Sequence, residues 1–235
     1  MVDNLIQIVY TNSNCKDVFD AFFKQNRKHS KLPLYVISDY DLEGYDIDGF
    51  YSYDNSEPYW EVWVKALMKF NSNTFIYLQE DFYLYDDVNE IKIKKYESYI
   101  LDSNYSFVRL INSGELNNKL VTDNLYEIES TNEQIYSQQP TIWKTNDYIK
   151  LLDSTREDKW LETDNYRDKM IKLDISGLYH YDGENKRGKN HFDSNVYPYI
   201  ATAIVRGKWN LSEYKNELEP ILKDNNIDPN IRGLF

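Results

Sequence analysis

The sequence contains a single cysteine, Cys15, among 235 residues, so no disulfide can form within the chain. A lone thiol fits a reducing compartment, and the expected location is the cytoplasm. No stretch rich in Pro, Gly or Ser reads as a linker, and the length suits one large domain, 1–235. No apolar run approaches the roughly 20 residues needed to span a bilayer. Residues 1–10 also lack the basic region and apolar stretch of a signal peptide, so neither a membrane span nor export is expected. Basic residues are outnumbered, 27 Lys and Arg against 39 Asp and Glu, giving a formal net charge of -12. A nucleic-acid partner, which rewards a basic face through counterion release, is therefore disfavoured. Serine or cysteine hydrolase chemistry has no support either, because no G-x-S-x-G elbow is present and Cys15 has no evident His partner.

What is abundant is material for a core: 41% hydrophobic residues and 16% aromatic ones, including 22 Tyr, which no disordered chain would carry. The acidity sets a condition on any phosphorylated ligand. It would be repelled unless a cation or local Lys and Arg side chains intervene.

The pattern of elements opens as β-α-β. Leu5 to Tyr10 is an apolar run that ends in the polar Thr11, Asn12, Ser13 and Asn14. Val18, Phe19, Phe22 and Phe23 then recur at helical spacing, and a second strand is predicted at Leu34 to Ser38. Residues 40–55 show no period and read as irregular. Ser56 and Pro58 mark a helix start, with Trp60, Trp63, Val64, Leu67 and Met68 predicted on one buried face. A strand at Thr74 to Leu78, a helix at Asn89 to Leu101 and a strand at Tyr105 to Leu110 form a second unit. This alternation predicts an α/β fold with a mostly parallel central sheet covered by helices on both faces. The second half is less regular. It offers strands near Leu125 to Ile128 and Thr141 to Trp143, and helices through Tyr148 to Leu152 and Trp160 to Met170. A loop framed by Gly177, Gly183 and Gly188 follows, then a strand from Tyr197 to Val205 and a last helix through Tyr214, Leu218, Ile221 and Leu222.

The sharpest chemical signal is the strand FIYLQ running into Glu80 and Asp81. Two acids at the carboxyl end of a buried strand are costly to place unless they meet water, a ligand or a cation. Mg²⁺ or Mn²⁺ would suit them, because such ions prefer carboxylate oxygens and bridge to phosphates. An exposed acidic turn is the alternative reading.

FIYLQEDFYL resembles the strand and acidic pair of GT-A glycosyltransferases, whose D-x-D motif holds a divalent metal on the donor's diphosphate. IVYTNSNCKDVFDAFF with LPLYVISD resembles the opening strands of small bacterial and viral enzymes of this kind. SQQPTIWKTNDYIKLL with KWLE resembles their acceptor-side segment, and VRGKW at 205–209 is also typical. The resemblance implies a Rossmann-like GT-A fold with a nucleotide-sugar-binding half, about 1–110, and an acceptor-side half, about 111–235. It implies a transferase that moves a sugar from a nucleotide-diphosphate sugar, a UDP-sugar favoured, to an acceptor hydroxyl on a glycan or other molecule.

By that resemblance Thr11, Asn12 and Ser13 line the nucleotide and Asp39 contacts base or ribose. Asp81 is the metal or diphosphate-side carboxylate with Glu80 helping, although Gln79-Glu80-Asp81 departs from a strict D-x-D. Gln139 and Trp143 border the sugar, with a buried strand tryptophan as the other reading of Trp143. Glu162 is the expected catalytic base, with Asp164 its rival and a first-turn acid stabilised by the helix dipole the alternative. His180 or His191 are candidates for a late metal ligand, with a surface or core histidine the more common reading. Arg206 and Lys208, beside Trp209, and the basic loop of Lys186, Arg187 and Lys189 are candidates for the diphosphate. Two readings compete with this one. A nucleotidylyltransferase shares the sheet, but TNSNCKD poorly replaces its Gly-rich phosphate loop. A non-catalytic carbohydrate- or nucleotide-binding protein would account for the abundant Tyr and Trp.

Overall fold

The computed structural model describes residues 5–114, 119–156, 163–188 and 191–235, with the backbone alone over 163–165. Its centre is a nine-stranded sheet. Strands β1 (Ile6–Tyr10), β2 (Leu34–Ser38), β3 (Gly49–Ser52) and β4 (Thr74–Gln79) make its first half. The second half holds β5 (Phe107–Arg109), β6 (Leu120–Thr122), β7 (Leu125–Ile128), β8 (Thr141–Lys144) and β9 (Gly177–His180). The spatial order is β3-β2-β1-β4-β8-β5-β9-β7-β6. β3, β2, β1 and β4 are all parallel, whereas β8 runs against both of its neighbours, β4 and β5. The expected α/β fold is present, with a parallel Rossmann-like half and a mixed second half.

The pleat explains why these strands are so apolar. In β4, Ile76 and Leu78 enter the core on one face while Phe75 and Tyr77 enter the core on the other. A strand clad on both sides reads as a continuous hydrophobic run. Helices α1 (Lys16–His29), α3 (Glu90–Leu101) and α6 (Lys215–Asp224) cover the first face. The second is covered by α2 (Tyr59–Phe70), α4 (Thr145–Asp153) and α5 (Thr163–Lys172). Among the described residues no helix is long and apolar enough to cross a membrane.

Four expectations need correction. Within the segment read as irregular, Gly49–Ser52 forms β3; its glycine is required because a Cβ there would meet the Tyr35 ring at 2.2 Å. The loop framed by glycines begins inside the sheet, since β9 is fully buried between β5 and β7. Tyr197 to Val205 is not a strand. Its buried residues lie along the 83–89 segment through separate bonds such as Ile200 N–H to Tyr83 O (2.9 Å) and an isolated antiparallel bridge of Tyr199 with Leu84, while Ile204–Val205 (β12) pairs with Lys208–Trp209 (β13). Between β9 and β12 lies a small hairpin of β10 (Lys186–Arg187) and β11 (His191–Phe192).

The fourth correction concerns α2. Its buried face is Val62, Trp63, Ala66, Leu67 and Phe70, while Met68 is 70% exposed and Trp60 and Val64 lie at the margin. The helix is rotated relative to the expected face because Ala66 and Phe70, not Met68, pack against the sheet. The two tryptophans therefore have different roles. Trp63→Ala should cost about 3–5 kcal/mol of stability, the scale for emptying a large aromatic from a core. Trp60→Ala should cost about 1 kcal/mol or less. Equal losses in chemical denaturation would contradict this division.

Candidate active site

A parallel sheet gathers the loops that follow its strands at one edge, where ligands bind in α/β folds. Here that edge opens into a cleft of about 810 Å³, within the ~300–1,000 Å³ usual for small-molecule sites. The edge itself supplies Tyr10, Gln79, Glu80, Asp81 and Gln138. One wall comes from the first helical turn of α1 and from chain-terminal elements: Cys15, Val18, Ile204 and Gly207 of the β12–β13 hairpin, and Arg232 of a short helix, α7 (Pro229–Arg232). The other wall is aromatic and carries Tyr59 and Trp60 from α2, Tyr166 from α5, and Arg156 just after α4.

Glu80 and Asp81 form the turn that ends β4, closed by Phe82 N–H to Gln79 O (3.2 Å). Burial and the neighbouring Glu80 charge push the Asp81 carboxyl up to about 7, against the opposing effect of its own N–H and that of Ile204, which donate to it. Burial likewise raises Glu80, which accepts from the Cys15 thiol and is partly offset by the Arg232 guanidinium. Cys15, pushed up to about 12 by burial and Glu80, is a donor here and not a nucleophile. Arg232 is held by Asp17, Nη2 to Oδ1 at 2.6 Å. The pair is thus negative charge in want of compensation. It fits a divalent ion that takes one or two carboxylates and completes its shell with water and phosphate oxygens. Among the described residues no group of three or more His, Cys, Asp or Glu gathers to form an all-protein cage.

The other expected residues scatter. Thr11 is fully buried, and the loop after β1 is engaged with itself. Ser13 N–H and Oγ bond Asp39 (2.6 and 2.9 Å), Asn14 N–H bonds Asn12 Oδ1 (3.0 Å), and Cys15 N–H bonds Asn12 O (2.9 Å). Asp39 also accepts from Asn55 Nδ2 (2.7 Å). These residues are not among those that line the cleft, although their chain neighbours Tyr10 and Cys15 are. Trp143 is a core residue, 4.4 Å from the Phe107 ring and opposite Phe75, near the far end of the parallel strands. Gln139 accepts from the Tyr199 hydroxyl, and its neighbour Gln138 lines the cleft instead.

His180 is buried with both ring nitrogens occupied, by Tyr96 Oη (2.9 Å) on one side and Glu184 (2.8 Å) and Asn195 (3.0 Å) on the other. His191, whose imidazole burial holds below its ordinary value, lies on β11, and neither histidine lines the cleft. Arg187 is taken up by Asp193 and Glu217, and Lys189 lies outside the described residues. Arg206 and Lys208 are exposed at the hairpin tip, whose Gly207 lines the cleft. Glu162 lies outside the described residues. Asp164 falls in the first turn of α5, two residues before the cleft-lining Tyr166; its side chain is not described. Arg109 is buried on Ser113 Oγ (3.0 Å) and the Ile135 carbonyl (3.0 Å) and does not pair with Asp81.

The sequence reading overlooked most of the cleft lining: Tyr10, Tyr59, Trp60, Tyr77, Gln138, Arg156, Tyr166 and Arg232. No local signal marked Trp60, since two tryptophans three residues apart can share one face of a helix. Arg156 and Arg232 are brought in by tertiary structure.

No protein-family model matches this chain, and no curated protein matches it in sequence. Solved structures similar to it include glycosyltransferases and nucleotidyltransferases. The 4-diphosphocytidyl-2C-methyl-D-erythritol synthase of Anaerococcus prevotii is 12% identical, with 95% of each chain covered and a TM-score of 0.48. A CMP:2-keto-3-deoxy-manno-octonic acid synthetase complexed with CTP is 7% identical over 75% of this chain and 89% of its own, with a TM-score of 0.47. A mannosyltransferase of Pyrobaculum calidifontis in complex with GDP-Man and Mn²⁺ is 10% identical over 79% of this chain and 58% of its own, with a TM-score of 0.45. Synthetase, synthase and glycosyltransferase stand at similar values, so the likeness does not select an activity.

The Asp81 environment has a measurable consequence without any metal. The folded protein holds this proton up to about 7, the unfolded chain only to 3.8. The folded state therefore binds more protons between those values, and stability present near pH 4 is lost as pH rises through 7. Asp81→Asn abolishes that loss. In EDTA at about pH 8 it should be more stable than the parent by about 1–3 kcal/mol, allowing for partial exposure, with the gap closing towards about pH 4. A lower melting temperature for Asp81→Asn at pH 8 would mark Asp81 as a structural acid.

Proposed function

We propose that the protein is a glycosyltransferase that moves a sugar from a nucleotide-diphosphate sugar, a UDP-sugar favoured, to an acceptor hydroxyl with inversion at the anomeric carbon. The observation that carries this reading is the buried, only partly compensated Glu80–Asp81 pair at the sheet's carboxyl edge, opening on a cleft with one aromatic wall. Asp81, with Glu80 beside it, would hold Mn²⁺ or Mg²⁺. Held there, a divalent ion would supply neutralisation of the diphosphate charge in an otherwise acidic molecule. Arg232 adds a fixed positive charge on the same side.

The acceptor oxygen attacks the anomeric carbon as the bond from that carbon to the diphosphate oxygen breaks. The acceptor proton passes to a carboxylate, for which Glu162 is the first candidate and Asp164 the second. Tyr166 supports this assignment, because its presence on the cleft wall brings the start of α5 to the same opening.

The loop after β1 favours sugar transfer over nucleotidyl transfer. A phosphate cradle needs free backbone N–H groups. Here those of Ser13, Asn14 and Cys15 are already engaged by Asp39 and Asn12, with no glycine among them.

UDP, or less strongly GDP, should raise the melting temperature more with Mn²⁺ or Mg²⁺ than with EDTA, since a ligand of the folded state stabilises it. Asp81→Asn should lose the metal-dependent part. Absence of any shift across nucleoside diphosphates and divalent metals would refute the donor site, and failure to release UDP from every UDP-sugar would favour a binding protein. Glu162→Gln should retain donor binding and transfer at least ~100-fold more slowly. Loss in Asp164→Asn instead would move the base to Asp164, and loss in neither would point to a retaining mechanism.

A further inference from the structure

Two arginines line the cleft, and they are anchored alike. Arg232 directs Nε and Nη2 at Asp17, and Arg156 directs Nε (3.3 Å) and Nη2 (2.8 Å) at Asp153 Oδ1. In both, Nη1 makes no hydrogen bond to any described residue. They stand on different walls. Arg232 belongs to the α1 side and acts on Glu80, whereas Arg156 follows α4 on the α2 side, with its guanidinium 4.9 Å from the centre of the Trp60 ring.

Trp60 makes this wall unusual. One turn along α2, Trp63 is fully buried, so the helix has a core position for an indole and uses it. Trp60 instead stays half-buried at the cleft beside Tyr59 and Tyr166. A partly exposed indole presents a flat apolar surface of the kind that packs against the C–H face of a sugar ring. Among the described residues the guanidinium's ion-pair partner is Asp153, in an exposed pair with side chains 57% and 40% accessible, and such pairs contribute about 0–1 kcal/mol. Asp153 and the indole orient Arg156 at the cleft. In a molecule of net charge -12, an oriented guanidinium beside an apolar ring is a local exception that a neutral ligand would not need.

We propose that Trp60 and Arg156 form an acceptor subsite for an anionic carbohydrate, a sugar or polyol bearing a phosphate or carboxylate. The ring lies on the Trp60 side of the cleft and the anion takes the Nη1 edge of Arg156. Placing this as the acceptor end rests on the reading of Glu80 and Asp81 as the donor end. The preference for negative charge does not.

The test titrates the parent protein with charged and neutral members of matched pairs: glucose 6-phosphate against glucose, glucuronate against methyl glucoside, and glycerol 3-phosphate against glycerol. In at least one pair the anionic member should bind ~10-fold or more tightly than its neutral counterpart, the scale of a hydrogen bond between charged groups. Arg156→Gln should reduce that ratio to about 2 or less. Lys95→Gln, which removes one positive charge from α3 on the other face of the sheet, should preserve it. Trp60→Ala should weaken the ring ligands and spare glycerol 3-phosphate. Equal affinity within every pair overturns the proposal. So does a ratio that survives Arg156→Gln, or one that Lys95→Gln lowers equally, which would reveal only the general field. Titration of UDP with Mn²⁺ into the same parent protein reports separately on the donor end. If UDP fails to bind while the anion preference stands, the donor reading fails and this subsite remains.

Discussion

The parallel pairing of β1 with β4 is the constraint from which the rest of the molecule follows. It places Tyr10 level with Gln79, so the loop that enters α1 and the turn that carries Glu80 and Asp81 emerge side by side. Both strands are enclosed on two faces and cannot slide by a residue without turning core side chains into the wrong layer. The acids are therefore fixed at the edge by hydrophobic packing several residues away. Their electrostatic cost is borne by the fold, and strain of this kind concentrates at functional sites.

The first half of the chain was largely legible in its sequence because it consists of doubly covered parallel strands and amphipathic helices, each with a strong period. β1, β2, β4 and α3 lie where the pattern predicts. What escaped had no period to offer. β3 is four residues long at the sheet's edge. β9 begins with a glycine because the Phe107 ring lies where a Cβ would be, 2.1 Å away, so a sheet strand presented the composition of a loop. In the opposite direction, the apolar run of Val196, Tyr197, Tyr199 and Ile200 is buried against neighbouring segments through separate bonds and one isolated bridge, not a ladder.

The site divides in the same way. The acidic pair was legible because a buried strand ending in two carboxylates is anomalous in any sequence. The histidines, Trp143 and the basic segments were drawn from the resemblance to GT-A enzymes and not from any anomaly in the sequence itself. The structure gives His180, Trp143 and Arg187 ordinary partners within the fold. The arginines that do line the cleft stand far from the acids in the chain, and only closure of the α/β layers brings them near. Charge partners of that kind leave no local mark.

The two walls belong to separate cores. Cys15, Val18, Ile204, Gly207 and Arg232 stand over the layer of α1, α3 and α6, while Tyr59, Trp60, Arg156 and Tyr166 stand over the layer of α2, α4 and α5, with the sheet between them. Substitutions that share no partner and are well separated combine additively. Each wall can therefore drift in sequence without disturbing the packing behind the other. Such an architecture lets selection exchange one ligand preference while the opposite half of the cleft is inherited intact.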